Sequence, residues 1–404
     1  MAAILAPPVD ARASENAFTL FIGKEDGLPA LWRSESGDPP PERVSPVDER
    51  LSAATALRRA QQGEYLLYRG DYRNASQLLS AMGRRLASKR RGPARSPLEI
   101  FRLERQARER EHRILSRLVV TLDAAYGLSL PRSPEVGDAC RVVWGEPQSM
   151  VTLVPLKTLW GMIGAAEWYR KGLEVPGLEG RIHPHYGVFV PTRQDYVALL
   201  LAAPSPRGKR AFDIGTGTGV LSFLLLQRGA SSVLATDIDS RAVACARENA
   251  ARLKLADRFQ VIERDLFPEG GADLVVCNPP WIPERPKTRL DRAIFDPDHR
   301  FLRTLLEGLA AHLAPGGQGY LFLSNLAELL GLRPPDFLSQ LVERSGLEVK
   351  WQQSTPAVHP KAQDETDPLH LVRSREISSL YCLEPKRGSS AAPAPEAPSG
   401  RPKA

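Results

Sequence analysis

The feature that most constrains the fold is a strand that runs directly into a glycine-rich turn and then a helix. Residues 211–219 read Ala-Phe-Asp-Ile-Gly-Thr-Gly-Thr-Gly, and an apolar helical pattern follows at once. Glycine is needed where a backbone turns tightly and approaches a ligand without a Cβ in the way. Such a strand–turn–helix unit is typical of a βαβ crossover, so it predicts a parallel sheet built around this strand.

From Ile182 to Leu383, β-branched runs alternate with helical patterns. This alternation indicates an α/β fold with a parallel sheet. The predicted strands are Arg210–Ile214, Val233–Thr236, Phe259–Ile262, Ala272–Cys277, Gly319–Ser324, Glu348–Gln352 and Ser379–Leu383. The predicted helices are Gly219–Arg228, Ser240–Leu253, Pro297–Leu313 and Pro335–Ser345. We assign residues 182–384 to one domain and predict that 385–404, with five prolines, are a disordered tail.

The chain before this domain has a different composition. Residues 1–47 are rich in Pro, Gly and Ser and are predicted to be mostly irregular. Within them, Phe18–Ile22 is predicted to be either a short strand or a docking segment. Residues 48–135 carry apolar residues at three- and four-residue steps, which predicts an α-helical accessory module. Residues 136–181 are predicted to be a connecting segment with one strand and one helix.

Three elements of this N-terminal half can be placed more closely. The sequence Ser96-Pro97-Leu98-Glu99 predicts a helix start, because serine caps, proline fits the first turn and glutamate reaches back. This helix is predicted to run to about Tyr126. The connecting segment is predicted to hold a strand at Cys140–Trp144 and a helix at Leu156–Tyr169.

The basic charge is concentrated in the accessory module. The protein has a formal net charge of +7, with 54 basic and 47 acidic residues. Between Arg50 and Glu135 there are 18 basic residues against 8 acidic ones. The densest part, Arg84–Arg95, has six basic residues and no acid. Such a cluster can neutralise phosphates of RNA, of a ribosome or of DNA, and it also suits a solvated helix face.

Length and composition exclude several classes of protein. A chain of 404 residues, 42% hydrophobic and 25% charged, is expected to form two or three globular units. It has no apolar run long enough to cross a bilayer. The four cysteines form no CxxC pair of the kind that indicates a zinc site. We therefore expect a cytoplasmic protein that has no membrane contact.

Acidic residues follow the next two predicted strands. Asp237 ends the second strand, where a carboxylate can accept hydrogen bonds from both ribose hydroxyls of a nucleoside cofactor. Asp265 ends the third strand, where an adenine would lie. A dinucleotide site is the alternative, but its GxGxxG pattern requires glycine at the position of Val220. The turn therefore favours a nucleoside cofactor other than NAD.

The fourth predicted strand has an apolar second half, Leu274–Cys277, and Asn278-Pro279-Pro280-Trp281 follows it directly. Two prolines fix the backbone and leave carbonyl oxygens without partners in the sheet. The side-chain carbonyl of Asn278 and the backbone carbonyl of Pro279 then offer two acceptors, which suit one NH2 group. Holding both N–H bonds of a planar amine directs its lone pair at a methyl donor, and Trp281 can stack on the planar group. These four residues are the predicted catalytic residues.

Together, the glycine turn, Asp237, Asp265 and residues 278–281 resemble the ordered motifs of class I S-adenosylmethionine-dependent methyltransferases. Within that class, the tetrapeptide resembles the one in release-factor and ribosomal-protein glutamine methyltransferases and in amino methyltransferases of RNA and DNA bases. Trp281 stands where tyrosine or phenylalanine is commonest. The resemblance covers about half the chain. It implies a seven-stranded Rossmann-like sheet with a final antiparallel strand and S-adenosylmethionine across the strand carboxyl ends.

The same resemblance implies roles for individual residues. Asp213 and the glycines would border the methionine part of the cofactor, Asp237 the ribose, and Asp265 with Leu266 the adenine. The implied cofactor-binding residues are Asp213, Gly215, Thr216, Gly217, Gly219, Asp237, Ile238, Asp265, Leu266 and Asn278. Asp239, by contrast, is predicted to cap a helix.

The segment Tyr186–Arg193 resembles the one that lies over the cofactor in the same families. The implied substrate-binding residues are Phe189, Pro191, Thr192 and Trp281. Arg193 faces a carboxylate or forms a structural salt bridge. His183 and His185 are predicted to be structural, because two histidines without a third ligand do not indicate a metal site, and no metal is expected. The polar, proline-punctuated stretch Ile282–Asp296 is predicted to face the substrate.

These features predict an enzyme that transfers a methyl group from S-adenosylmethionine to a planar nitrogen. The first hypothesis is that the methyl acceptor is an exocyclic amine of a base in RNA or DNA, and that the basic module binds this nucleic acid. The second is a protein glutamine N-methyltransferase that acts on a translation factor or ribosomal protein. Small-molecule N-methylation and a non-catalytic nucleic-acid-binding role are further alternatives, and the intact Asn278–Trp281 set argues against the last.

Overall fold

The computed structural model describes residues 17–23, 27–34, 38–87, 96–288, 290–358 and 360–386. Two compact units make up the chain. The N-terminal unit is Met1–Leu173 with His183–Gly187, and the C-terminal unit is Glu174–Ile182 with Val188–Ala404. In the described ranges, none of the helices combines the length and the apolar character that crossing a membrane requires.

The N-terminal unit is built on a mixed sheet of six strands. The strands are β1 (Ala17–Leu20), β2 (Leu28–Trp32), β3 (Val44–Val47), β4 (Tyr65–Tyr68), β5 (Leu118–Leu122) and β6 (Val151–Pro155). The helices are α1 (Ala53–Gln61), α2 (Tyr72–Ala87), α3 (Pro97–Leu115), α4 (Gly137–Trp144) and α5 (Leu156–Lys171). The strand order is β1-β2-β6-β5-β4-β3. The prediction of an all-helical accessory module is therefore wrong, because residues 48–135 supply two strands to the sheet.

These strands were missed because both faces of the sheet are buried. In β4, Leu66 belongs to the hydrophobic core on one face and Leu67 to the core on the other. In β5, Val120 and Val119 divide in the same way. A strand that is apolar on both sides lacks the alternation of apolar and polar residues that marks a half-exposed strand. Within a short apolar run, it cannot be told from a buried helix by its pattern.

The predicted long helix begins as expected and ends earlier. The Ser96 hydroxyl accepts a hydrogen bond from the backbone N–H of Glu99 at 3.2 Å, and α3 then begins with proline. The helix ends at Leu115 and does not reach Tyr126. The β-branched pair Val119–Val120 favours an extended backbone, and this segment pairs as β5 between β4 and β6.

Two predictions for the connecting segment have opposite outcomes. The predicted strand at Cys140–Trp144 is wrong, because these residues form the second half of α4. Ala139 and Cys140 are buried on the inner side of this helix, and Gly145, with φ 79°, ends it. The helix predicted at Leu156–Tyr169 is confirmed as α5. The segment Phe18–Ile22 is a strand only in part, because β1 ends at Leu20. The prediction that residues 1–47 are mostly irregular is wrong for the described part of that range, which also holds β2 and β3. These two strands are stabilised by pairing with β6 and β4, which local composition does not reveal.

The C-terminal unit contains a sheet of seven strands. The short strands β7 (Leu173–Glu174) and β8 (Arg181–Ile182) form a separate two-stranded sheet. The seven strands are β9 (Arg210–Ile214), β10 (Ser232–Asp237), β11 (Phe259–Glu263), β12 (Ala272–Cys277), β13 (Leu313–Ser324), β14 (Leu347–Pro356) and β15 (Ile377–Pro385). Their order is β11-β10-β9-β12-β13-β15-β14. β15 is antiparallel to both β13 and β14, whereas all the other pairs in this sheet are parallel. The predicted Rossmann-like sheet with a final antiparallel strand is therefore confirmed.

The described helices of this unit are α6 (Asp195–Ala202), α7 (Val220–Gln227), α8 (Ser240–Arg252), α9 (Arg300–Leu309), α10 (Leu326–Leu329), α11 (Phe337–Arg344), α12 (Pro360–Gln363) and α13 (His370–Arg373). The four helices predicted between the strands are confirmed as α7, α8, α9 and α11, whereas the short helices α10, α12 and α13 were not predicted. The predicted helix Pro297–Leu313 is α9 with a 3-10 turn at each end. The tail predicted to be disordered lies, from residue 387 onward, outside the described residues.

Candidate active site

The carboxyl ends of β9 and β12 meet where the strand order of the sheet reverses. Cys277, the last residue of β12, lies opposite Ile214, the last residue of β9. On the other side of β9, Ile214 lies opposite Thr236 of β10. Neighbouring strands are about 4.8 Å apart. The glycine turn, Asp237 and Asn278 therefore lie next to one another at the carboxyl edge of the sheet. Open α/β sheets bind ligands in the crevice at this point.

The turn after β9 is bound to the neighbouring strand through its backbone. The N–H of Gly215 donates to the carbonyl of Thr236 at 2.9 Å. Gly219 has a φ of 89°, and a Cβ there would lie 2.4 Å from the ring of Phe223, so this position requires glycine. A Cβ at Gly217 would meet no protein atom within 4 Å. The turn therefore packs tightly at its helix end and leaves open space at its centre.

Asp213 lies beneath the turn and is 1% exposed. The hydroxyls of Thr216 and Ser222 donate to its Oδ2 at 2.7 and 2.6 Å. Its Oδ1 is buried and has no hydrogen-bond partner among the described residues. Burial raises the pKa of Asp213 to about 6. A buried carboxylate with one unmatched oxygen favours a positive charge nearby.

Asp237 is held by two backbone donors at the end of β10. The N–H of Gly217 donates to its Oδ2 at 2.9 Å, and the N–H of Asp239 donates to its Oδ1 at 3.0 Å. Each carboxylate oxygen keeps a lone pair for a further donor. Burial raises the pKa of Asp237 above its ordinary value. Asp239 accepts from the N–H of Arg241 at 3.0 Å and caps α8, as the sequence predicts.

Two apolar residues at this edge are unusual, one in its exposure to solvent and the other in its backbone conformation. Ile238, which directly follows β10, is 62% exposed. Leu266 has a φ of 58°, and its carbonyl accepts from the Thr236 hydroxyl at 2.5 Å. Left-handed backbone is uncommon for leucine and persists where the surroundings fix it, often at ligand sites. Asp265 is exposed beside it.

A hydrogen bond joins the two ends of the tetrapeptide after β12. Trp281 Nε1 donates to Asn278 Oδ1 at 3.0 Å. The indole is half-buried, whereas Pro279 is buried and Pro280 is half-buried. The Arg193 guanidinium lies 4.8 Å from the centre of the indole ring. The sequence predicted the tetrapeptide but not this bond, because the rotamers of both side chains depend on packing against residues far along the chain.

The upstream segment reaches the same edge through Arg193. Of the predicted substrate-binding residues in this segment, Phe189 is half-buried, Pro191 is buried and Thr192 is exposed. Arg193 lies over the ring of Trp281 and also forms ion pairs with two carboxylates. One cluster of side chains therefore supplies both the carboxylate partner and the structural salt bridge that the sequence offers as alternatives for Arg193.

That cluster contains two buried carboxylates. Arg193 donates to Asp195 at 2.6 Å and to Glu376 at 2.8 Å, and these acids are 4% and 2% exposed. The Ser378 hydroxyl bonds to Asp195, and the Ser324 hydroxyl donates to Glu376 at 2.6 Å. Burial opposes ionisation of Asp195, but hydrogen bonds from Arg193 and Ser378 hold its pKa below the ordinary value. No local pattern in the sequence pointed to Glu376, which lies 183 residues from Arg193.

The two histidines that precede this segment make local contacts. His183 Nδ1 is 2.6 Å from the carbonyl oxygen of Tyr169, and the ring of His185 is 5.6 Å from the ring of Tyr169. Within the part of the chain that the structure describes, no group of three or more His, Cys, Asp or Glu side chains could hold a metal ion.

Comparison with known proteins finds similarity to methyltransferases in this part of the chain. Residues 179–322 match the family model described as "Methyltransferase small domain". A putative protein N5-glutamine methyltransferase of Methanocaldococcus jannaschii is 31% identical over 121 residues, which are 30% of this chain and 59% of that protein. Residues 179–322 are thus similar to class I methyltransferase domains.

Two further relatives of the methyltransferase domain differ in their named acceptors. A tRNA1(Val) (adenine(37)-N6)-methyltransferase of Parabacteroides distasonis is 40% identical over 92 residues, covering 22% of this chain and 39% of that protein. A release factor glutamine methyltransferase of Cereibacter sphaeroides is 34% identical over 170 residues, covering 38% and 58%. The match spans less than two thirds of each of these relatives.

S-adenosylmethionine is the cofactor of such methyltransferase domains, and the residues at this edge fit it. The cofactor carries positive charges on its sulfur and its amino group, which suit the unmatched, buried carboxylate of Asp213. Each carboxylate oxygen of Asp237 keeps a lone pair that could accept from a ribose hydroxyl. Ile238 offers exposed apolar surface to a planar base. These residues would hold the cofactor across the glycine turn.

Replacing Asp213 by asparagine tests its protonation. Because its pKa is raised in the folded state, the folded protein binds the proton more tightly than the unfolded chain, and ionisation between pH 4 and 6 costs stability as the pH rises. We expect Asp213→Asn to remove this loss of stability, because asparagine does not ionise. The difference in unfolding free energy between pH 4.5 and 7.5, measured by urea denaturation, then changes by about 2 kcal/mol relative to the wild type.

Asp239→Asn is the matched control, because asparagine caps a helix as well as aspartate does. The Asp239 side chain is partly exposed, whereas Asp213 is fully buried. Its pH dependence of stability should equal that of the wild type. An unchanged pH dependence in Asp213→Asn would contradict the environment described for Asp213.

Proposed function

We propose that this protein is an S-adenosylmethionine-dependent N-methyltransferase whose acceptor is an exocyclic amine of a base in RNA or DNA. The observation that carries the proposal is the position of Asn278-Pro279-Pro280-Trp281 directly after β12. One strand spacing separates β12 from β9 and its glycine turn. An amine held by the tetrapeptide then lies within reach of a methyl donor held by the turn.

The tetrapeptide offers two acceptors to one NH2 group. One lone pair of Asn278 Oδ1 accepts from Trp281, and the other remains for a substrate N–H. β12 ends at Cys277, so the carbonyl of Pro279 lies beyond the hydrogen-bonded ladder and can take the second N–H. Bonding both hydrogens draws the nitrogen lone pair out of conjugation and directs it at the methyl carbon.

Positioning supplies most of the catalysis in this scheme. The cofactor contributes a methyl group on a positively charged sulfur, which is a good leaving group. The oxygens of Asn278 and Pro279 are neutral and do not act as strong bases, so the surplus proton of the product leaves to water. Holding two groups in reacting geometry is a large contribution by itself.

The N-terminal unit supports a nucleic-acid partner through its arginines. A cavity of about 190 Å³ is lined by Arg110, Arg113 and Arg117, with no carboxylate in its lining. Arg117 is fixed by donating to the carbonyl of Ala60 at 2.9 Å. Arg110 and Arg113 are exposed and present their guanidinium groups on one side of α3. Arginines arranged in this way suit the phosphates of a nucleic-acid backbone.

The basic cluster predicted from the sequence, Arg84–Arg95, is only partly described. Arg84 and Arg85 are exposed in the last turn of α2. Lys89, Arg90, Arg91 and Arg95 lie outside the described residues. The exposed arginines of α2 and α3 therefore carry the structural support for this partner.

Protein glutamine methylation is the second candidate function. Two of the relatives reported above are named as glutamine methyltransferases. The side-chain amide of glutamine presents a planar NH2 group that the Asn278–Pro279 acceptors would hold in the same way. In that case, the N-terminal unit would dock a translation factor or a ribosomal protein.

Methyl transfer into cell extract tests both candidates with one variant. With a labelled methyl group on the cofactor, we expect the wild type to label the RNA or DNA fraction. Asn278→Ala should lose about 10²–10³ in rate, because a preorganised polar contact is removed. The variant should still bind S-adenosylmethionine in calorimetry, because the other implied cofactor-binding residues are unchanged.

Label in the protein fraction would favour glutamine methylation over base methylation. Near-normal turnover by Asn278→Ala would contradict the role assigned to Asn278 for either acceptor.

Salt dependence tests the nucleic-acid surface. Arg110→Ala with Arg113→Ala, and separately Arg84→Ala with Arg85→Ala, should weaken binding of RNA or DNA. Each lost phosphate contact should reduce the slope of log K against log salt by about 0.7 for single strands or 0.9 for duplex DNA. Arg50→Ala is the control, because Arg50 is paired with Asp48 at 2.5 Å. Unchanged slopes in both double variants would exclude these arginines as phosphate contacts.

A further inference from the structure

The orientation of the Asn278 amide decides whether it can hold an amine. An asparagine amide can turn by half a rotation, which exchanges its oxygen for its NH2 group, and only the oxygen accepts an N–H. An indole N–H is a donor without acceptor capacity. The bond from Trp281 Nε1 to Asn278 Oδ1 at 3.0 Å therefore selects one of the two orientations and fixes where the oxygen lies.

Trp281 is in turn held by a cation on its ring face. The guanidinium carbon of Arg193 lies 4.8 Å from the ring centre, which is within the range of a cation–π contact. A tryptophan held in this way has little freedom to rotate about its side-chain bonds. The position of its N–H is thereby fixed relative to the end of β12.

Arg193 owes its own position to the two buried carboxylates. Asp195, at the start of α6, and Glu376, directly before β15, each accept from a different nitrogen of the guanidinium. The Ser378 hydroxyl accepts from the same group at 3.2 Å. A planar guanidinium makes these contacts in a fixed fork that a lysine ammonium cannot reproduce.

We propose that Arg193 and Trp281 are positioning residues that hold the Asn278 amide oxygen toward the methyl acceptor. The order of contacts runs from Asp195 and Glu376 to Arg193, to the Trp281 ring and then to Asn278. Trp281 thus has a second task beside any stacking on the acceptor. This inference rests on the proposed function, because the reaction is what requires a fixed amide.

A double-mutant cycle separates this role from a structural one. Trp281→Phe keeps an aromatic ring for Arg193 and removes the N–H together with the second ring of the indole. We expect its kcat to fall about tenfold, the worth of one hydrogen bond, while its KM for S-adenosylmethionine and its thermal stability stay near the wild type. In the Asn278→Ala background, Trp281→Phe should cause no further loss, since the bond no longer exists.

The indole N–H of Trp281 provides a readout that does not depend on activity. In ¹⁵N-labelled protein, its exchange with solvent should be slower than that of Trp168, whose side chain is among the exposed ones at 46%. Asn278→Ala removes the acceptor and Arg193→Lys removes the planar support. Both variants should speed exchange at Trp281 and leave exchange at Trp168 unchanged.

The outcomes distinguish this inference from the proposed function. Slow exchange at Trp281 with non-additive loss of kcat supports the positioning role. Fast exchange at Trp281 in the wild type, or additive losses in the double variant, overturns it. Slow exchange with no methyl transfer in any fraction of cell extract would support the orienting contact and overturn the proposed function.

Discussion

The parallel pairing of β9 with β12 is the contact on which the rest of the site depends. Its register places Ile214 opposite Cys277, so the glycine turn and the tetrapeptide leave the sheet side by side. Pairing of β9 with β10 adds Asp237 at the same edge. A shift of one residue in either register would turn the strand ends to the opposite face of the sheet. Backbone pairing of these strands therefore places the parts of the site side by side.

Buried charged groups on the two sides of the site differ in how completely they are paired. On the cofactor side, Asp213 keeps an unmatched oxygen, and burial raises its pKa to about 6. On the acceptor side, Arg193, Asp195 and Glu376 satisfy one another through short hydrogen bonds. An unmatched charge favours a charged ligand, whereas a matched cluster favours rigidity. This division suits a reaction in which one side binds a cation and the other holds a neutral amine still.

The sequence was sufficient for the parts of the protein that depend on local pattern. All seven strands of the large sheet and the glycine turn could be predicted, because βαβ units alternate in a recognisable way. The six-stranded sheet of the N-terminal unit could not, since β4 and β5 are apolar on both faces and pair with distant segments. Glu376 and the bond between Trp281 and Asn278 also lacked any signal, because they depend on contacts that only the folded chain creates.

A crystal structure of the protein with S-adenosylhomocysteine bound tests the proposed site most sharply. We expect ribose hydroxyls within hydrogen-bond distance of the Asp237 carboxylate, the amino-acid part against Gly215–Gly217, and the sulfur directed toward Asn278. A ligand bound away from the glycine turn, or a sulfur that points away from the Asn278–Trp281 tetrapeptide, would contradict it.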